Sequence, residues 1–138
     1  MSSGAEQAAA ERWLYSVLSG DELLAGLGVV GVHAYTTRET DAMPYILYQY
    51  QGGYDVRGVG PARVMAAMLY VVRGVREGPM SGLVAISTRI DNLLQAQSGS
   101  NVDGTVIGCV RERPFSLPER VEGRTFSHLG GVYRLWVQ

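Results

Sequence analysis

The segment "RVMAAMLYVVR", residues 63–73, decides the fold because it is the most apolar strand-like stretch of the chain. In a sheet with one solvated face, side chains along a strand alternate between apolar and polar. This segment does not alternate, so both of its faces are expected to be covered. One face carries Val64, Ala66, Met68, Tyr70 and Val72, and the other carries Met65, Ala67, Leu69 and Val71.

The preceding strand, "PYILYQYQ" at residues 44–51, holds three tyrosines and no acid, base or nucleophile. Tyr48 and Tyr50 point to one side and Tyr45 to the other. The second face of the sheet meets either more of the same chain or another subunit, and few residues remain to cover it. The pattern therefore favours a subunit interface. The candidate interface residues on these two strands are Tyr45, Tyr48, Tyr50, Met68 and Tyr70.

The segments around these strands complete an α+β pattern. Apolar residues at helical spacing predict helices over residues 5–18 and 80–97, and "SGDELLAGLG" predicts a short second helix that begins near Asp21. Further strands are predicted at "GVHAYTT", at residues 104–113 and at residues 126–137. The order α-β-β-β-α-β-β predicts a mostly antiparallel sheet with amphipathic helices packed on one face. We interpret residues 1–138 as one domain, with residues 1–5 as a flexible end.

Composition excludes several classes of protein. The net charge of −1 gives no global electrostatic argument for binding nucleic acid or an anionic membrane. All 12 basic residues are arginines, which removes P-loop and Schiff-base lysine chemistry. The single cysteine, Cys109, excludes an intrachain disulfide and a thiolate metal cluster. No apolar run reaches about 18 residues, and no secretory signal is recognisable. We expect the chain to fold in the cytoplasm, without a membrane partner.

The residues capable of catalysis do not form a recognisable site. His33 and His128 lack metal-ligand spacing, and Cys109 is expected to be a small buried residue. The segment "GPMSG", residues 78–82, lacks the glycine that a nucleophile elbow needs two positions before its serine. Acidic residues such as Glu11 are expected to be solvated charges or helix caps. The sequence therefore predicts no enzyme activity, no cofactor and no metal.

Two arginine-containing features remain. Arg111 and Arg113 are one residue apart, so on a regular strand they project from one face, either as a solvated strand end or toward a neighbouring subunit or passing DNA phosphates. The segments 54–63 and 114–124 are predicted to be exposed loops. They are either mobile surface loops or contacts to neighbouring subunits and other partner proteins. Their candidate contact residues are Arg57, Phe115, Leu117, Arg120 and Arg124.

The assembled pattern resembles the tail-completion, or tail-terminator, family of long-tailed bacteriophages and prophages. The segments that carry the resemblance are "LLAGLG" followed by "GVHAY", and "PYILYQ", within a match that runs from about Glu11 to Val137. The resemblance implies a homohexameric ring on the head-proximal end of the tail tube. Such a ring stops tube polymerisation, joins the tail to a head-closure or neck protein, and lets DNA pass without sequence readout. It implies a location in the neck region of a virion that is assembled in the host cytoplasm.

Two other functions remain open from the sequence. One is another neck or tube component, such as a head-closure or tail-tube protein. The other, from a different class, is a small-molecule-binding α+β dimer that uses the space beside the tyrosine strand. That reading needs convergent polar groups around the strand, and only Gln49, Gln51 and Asp55 offer themselves. A six-membered ring in electron micrographs indicates a tail or neck component. A small-molecule-binding protein of this kind is instead expected to be a compact dimer.

Overall fold

The predicted α+β class is confirmed by a computed structural model, which describes residues 4–38 and 41–138. Helices cover one face of a six-stranded sheet that curls on itself. The helices are α1 (Ala5–Ser19), α2 (Glu22–Gly26), a short 3₁₀ helix (Met80–Leu83) and α3 (Val84–Leu94). The strands are β1 (Val32–Ala34), β2 (Tyr45–Arg57), β3 (Arg63–Glu77), β4 (Gly99–Asn101), β5 (Gly104–Val121) and β6 (Arg124–Val137).

The sheet is mostly antiparallel, as predicted, in the order β1-β2-β3-β6-β5-β4. Only the short β1 runs parallel to its neighbour, β2, among the strands described. The predicted flexible end, residues 1–5, falls partly outside the described residues. Gly4 precedes α1 and Ala5 is its first residue, so the helix starts at the end of that segment.

The core lies between the helices and one face of the sheet. The apolar stripe of α3 is buried there, as its spacing predicts, through Ile86, Ile90 and Leu94. The start of α2 near Asp21 is also confirmed, because the Asp21 side chain accepts a hydrogen bond of 2.9 Å from the backbone N–H of Leu24. An N-cap of this kind satisfies one of the free N–H groups in the first turn of a helix.

Arg89 of α3 donates two hydrogen bonds to the Asp21 carboxylate, of 2.9 and 2.7 Å. One aspartate therefore caps α2 and ties it to α3. The hydrogen bond from Arg89 is the main reason that the pKa of Asp21 is lowered.

The prediction of an exposed loop over residues 114–124 is wrong. β5 continues to Val121, and only residues 122–123 turn the chain into β6. Pro114 and Pro118 suggested a loop, but β5 beyond the short β4 is an edge strand, where proline is tolerated because a backbone N–H can be missing on the open side. The prediction for residues 54–63 is also corrected, since only residues 58–62 connect β2 to β3.

Candidate assembly surfaces

Three of the predicted interface residues belong to the chain's own core. Tyr48, Met68 and Tyr70 lie on the helix-covered face and are buried beneath α1 and α3. Their assignment to a subunit interface is corrected, because none of the three is more than 6% exposed and their rings and side chains pack inside the chain itself. Tyr50 lies beside them, partly buried, with its ring centroid 5.5 Å from that of Tyr70.

The Tyr70 hydroxyl is held by Glu11, a residue that the sequence suggested was a solvated charge. One carboxylate oxygen of Glu11 accepts hydrogen bonds from Tyr35 at 2.5 Å, from Tyr70 at 3.0 Å and from the Gln7 amide at 2.9 Å. Burial raises the pKa of Tyr35 to about 12, and it also raises the pKa of Tyr70. Both hydroxyls therefore stay protonated and act as donors, so this cluster anchors α1 to β3 and to the segment that follows β1.

The centre of the second face of the sheet is covered by two of the chain's own arginines. The Arg73 guanidinium lies 5.3 Å from the centre of the Phe115 ring, and the Arg134 guanidinium lies 5.3 Å from that of Tyr54. Val71, on the same face of β3 as Arg73, is fully buried without any second subunit. Of the two explanations open from the sequence, coverage by the same chain is thus the correct one for the centre of this face. Long side chains cover apolar surface while keeping their charged ends accessible.

His128 connects this arginine layer to the end of β5. Its Nδ1 accepts a hydrogen bond of 3.1 Å from Arg73 Nε, and its Nε2 lies 3.3 Å from the Glu119 carboxylate. Burial lowers the pKa of His128 below its usual value, against the opposing effect of Glu119. The ring is therefore neutral at pH 7, and it holds β3, β5 and β6 together.

Tyr45 stands at the border of the second face. It is buried with Leu47 and Val75, and its ring meets the His33 ring edge-on at 5.3 Å. A cleft of about 500 Å³ opens beside it, lined in part by Met43, Val121 and Phe126. Tyr45 is thus part of the floor of an open cleft and not of a flat exposed patch.

The outer half of β5 is the most exposed part of the sheet, and we call residues 114–121 the edge arm. Leu117 and Val121 are 42% and 47% exposed, whereas Phe115 is half-buried under Arg73. On the outer side of the edge arm, no backbone hydrogen bond is found within residues 4–38 and 41–138. An open edge with exposed apolar side chains is a surface suited to protein contacts.

Arg111 and Arg113 do not share a face, contrary to the prediction. A register shift lies between them, so that Arg111 pairs with Tyr133 and Arg113 with Val132, which are neighbours on β6. Such a bulge adds one residue to a strand and reverses the facing of the residues that follow. Arg111 therefore belongs to the helix-covered side and Arg113 to the arginine-covered side.

The remaining arginines divide into paired and unpaired groups. Arg124 donates to Glu77 at 2.6 and 3.1 Å, so it is used within the chain. Arg57, Arg113 and Arg120 have no guanidinium partner among the described residues, and they remain candidates for contacts between subunits.

The features that would suggest catalysis are weak. Cys109 is buried, as predicted, and burial raises its pKa to about 12, which keeps the thiol protonated. Within the described ranges, no group of three or more His, Cys, Asp or Glu side chains is placed to hold a metal ion. Nor does that part of the chain contain a helix that is both long and apolar enough to span a membrane.

Comparison with known proteins gives a match among solved structures. No protein-family model and no curated protein matches the chain. Among solved structures, the chain is similar to a chain of the "Virion of native gene transfer agent (GTA) particle", with a TM-score of 0.70 and 20% sequence identity. The match covers 97% of this chain and 95% of that chain. At this level of identity the likeness shows the fold, so over nearly its whole length the chain has the fold of a protein found in that virion.

Proposed function

We propose that the chain is a structural subunit of a phage-like particle, and specifically a tail terminator. It forms a closed homohexameric ring at the head-proximal end of the tail tube, stops tube polymerisation and joins the tail to a neck protein. The observation that carries the proposal is the shared fold with a chain of the gene transfer agent virion over nearly the full length of both chains. The resemblance of the sequence to the tail-completion family supports the more specific role.

The shape of the sheet suits association in a ring. β2 and β5 lie on opposite sides of the central pair β3 and β6. β2 has no strand neighbour beyond Tyr48 on its outer side, and β5 has none beyond Val106, in the part of the chain that the structure describes. Two different edges per subunit allow head-to-tail contacts, which close into a ring when the rotation per subunit is right.

The chemistry of the surface favours a structural role over the small-molecule alternative. The cleft beside Tyr45 is lined by ordinary salt-bridging and apolar residues, including the paired Arg124 and the neutral His128. Gln49, Gln51 and Asp55 do not converge on one cleft, since Asp55 lines a smaller cleft beside Tyr50, whereas Gln49 and Gln51 line neither of the two. Arg57, Leu117 and Arg120 stay in the proposal as contacts to neighbouring subunits, and Arg113 as a contact to a subunit or to passing DNA.

Electron microscopy and native mass spectrometry of the purified protein test the proposal. We expect six-membered rings as the protein concentration rises. In a strain that produces the particle, loss of the gene should leave heads without tails and tubes of uneven length, and the wild-type gene should restore whole particles. A compact dimer as the only assembled species, or normal particles without the gene, would refute the terminator role.

A further inference from the structure

A polar cleft of about 240 Å³ lies between the first turn of α1 and the strands β2 and β3. Its charged lining residues are Glu6 from the helix, Asp55 from β2 and Arg63 from β3, and the rings of Tyr50 and Tyr54 also line it. It lies at the β2 side of the sheet, away from the cleft beside Tyr45. Nothing in the core or in the arginine layer requires these charges, so the cleft needs its own explanation.

Glu6 is the unusual member of this group. It is only 4% exposed, yet neither of its carboxylate oxygens accepts a hydrogen bond from any described residue. Arg63 Nη2 lies 2.9 Å from Glu6 Oε1, but without the alignment of a hydrogen bond. Burying a charged group without hydrogen bonds is costly, so proteins satisfy such groups with a partner. The position of Glu6 at the start of a helix offsets part of that cost.

The lining selects a cation of a particular shape. Among the described residues, two carboxylates face one guanidinium, because Arg63 contacts Asp55 at 3.6 Å as well as Glu6, and this set carries one net negative charge. A planar guanidinium group can donate to a carboxylate through two N–H groups and stack on an aromatic ring. Tyr54, 58% exposed, and Tyr50 offer such rings at the rim. We infer that this cleft binds an arginine side chain, and that a second copy of the chain supplies it.

Within the proposed ring, on which this inference rests, Arg113 is the donor that the topology favours. The chain contains no lysine, so every cationic side chain that a second copy can offer is an arginine. In a head-to-tail ring, the β5 edge of one copy would face the β2 edge of the next, because β2 and β5 lie on opposite sides of the sheet. The cleft lies level with Ala66 to Met68 of β3, and Arg113 pairs with Val132, which pairs with Val71 on the same strand. Arg111 lies one pair nearer the cleft, level with Tyr70, but its side chain packs over Gly131 of its own chain. Arg120 pairs with Thr125, which lies beyond the end of the β3–β6 ladder and therefore farther from the level of the cleft.

Titration with a small probe tests the cleft without any need for a ring. N-acetyl-arginine methylamide is added to the full chain and followed by amide-resolved NMR, with the lysine analogue as the comparison. We expect saturable shifts at Glu6, Tyr54 and Asp55, and at least about tenfold weaker binding in Glu6→Gln. Asp103→Asn, which removes a carboxylate from an exposed ion pair with Arg12, is the matched control and should bind like the wild type. Equal shifts in wild type and Glu6→Gln, or no saturable shifts, would overturn the site.

A double-mutant cycle tests the source of the arginine. Self-association is measured by sedimentation equilibrium for Glu6→Gln, Arg113→Gln and the double variant. Each single change should weaken association by at least about tenfold, and the second change should add little. Arg120→Gln should combine additively with Glu6→Gln. Additive effects for Arg113, or a wild type that stays monomeric at its solubility limit, would overturn the assignment to Arg113. If six-membered rings form but the effects of Glu6→Gln and Arg113→Gln are additive, this contact is refuted and the proposed function stands.

Discussion

The carboxylate of Glu11, on the first helix, accepts a hydrogen bond of 3.0 Å from the hydroxyl of Tyr70, in the centre of β3. The same oxygen accepts from Tyr35, which follows β1. The contact joins residues 59 positions apart in the sequence and fixes α1 over the sheet. Part of the aromatic content of the chain therefore serves its own fold, because the hydroxyls of these two tyrosines hydrogen-bond within the chain.

A double-mutant cycle at this contact should show coupling. Glu11→Ala leaves the buried Tyr70 hydroxyl without its acceptor, and we expect it to lower the free energy of unfolding by about 1–3 kcal/mol. Tyr70→Phe removes the donor and should cost about 1 kcal/mol, with a coupling energy above about 0.5 kcal/mol. Glu22→Ala, at an exposed site, is the control, and its effect should be within about 0.5 kcal/mol. Urea unfolding measures the two single variants, the Glu11→Ala/Tyr70→Phe double variant and the control. Additive effects of Glu11→Ala and Tyr70→Phe would contradict a direct hydrogen bond between the two side chains.

The tyrosines of β2 should separate into structural and surface residues. Tyr48→Ala removes a buried ring from the core and should cost about 3–5 kcal/mol in unfolding free energy. Tyr54→Ala removes an exposed ring whose described ring contact is with Arg134, and should cost about 1 kcal/mol or less. Thermal unfolding of the two variants checks this. Similar melting temperatures would mean that Tyr48 is not a core residue.

Stability should fall as the pH drops through the range in which free histidine titrates. Because the pKa of His128 is lowered in the folded protein, the unfolded chain binds more protons below about pH 6.5. The contribution of the neutral ring is thus complete above about pH 6.5 and is lost as the pH falls, with a slope of at most about 1.4 kcal/mol per pH unit. The groups that face the ring are Arg73 and Glu119.

Urea unfolding between about pH 7.5 and pH 5.5 measures this slope. His128→Gln should reduce the slope in that window, since a glutamine does not titrate. His33→Gln, measured alongside, separates the contributions of the two histidines. If His33→Gln removes the slope and His128→Gln leaves it, the assignment to His128 is wrong.

The edge arm should matter for assembly more than for folding. Leu117→Ser with Val121→Ser changes two exposed side chains, so the free energy of unfolding should change by about 1 kcal/mol or less. We expect the same double variant to reduce the number of particles with joined heads and tails, counted by electron microscopy. Val102→Ser, at a residue that is 84% exposed outside the edge arm, is the control. A normal yield of whole particles from the double variant would exclude the arm from the contacts.

The sequence by itself determined the class of the fold and most of its elements. The apolar stripe of α3 and the unbroken apolar run in β3 are local patterns, and each predicts its element without knowledge of neighbours. The same is true of Asp21, because an N-cap acts within three residues of itself. Even the burial of Cys109 followed from its apolar flanks.

Tertiary structure alone decided which surfaces are free. The two-sided strand β3 predicted that something covers the second face, but only the fold brings Arg73 to Phe115 and Arg134 to Tyr54 across separate strands. The bulge that separates Arg111 from Arg113 depends on pairing with β6, and the prolines of the edge arm are acceptable only because no strand lies outside them. In the sequence, Glu6 looks like an ordinary acidic residue in the first turn of a helix. Its burial beside Asp55 and Arg63 results from packing between residues about 50 positions apart, a distance over which no local pattern carries information.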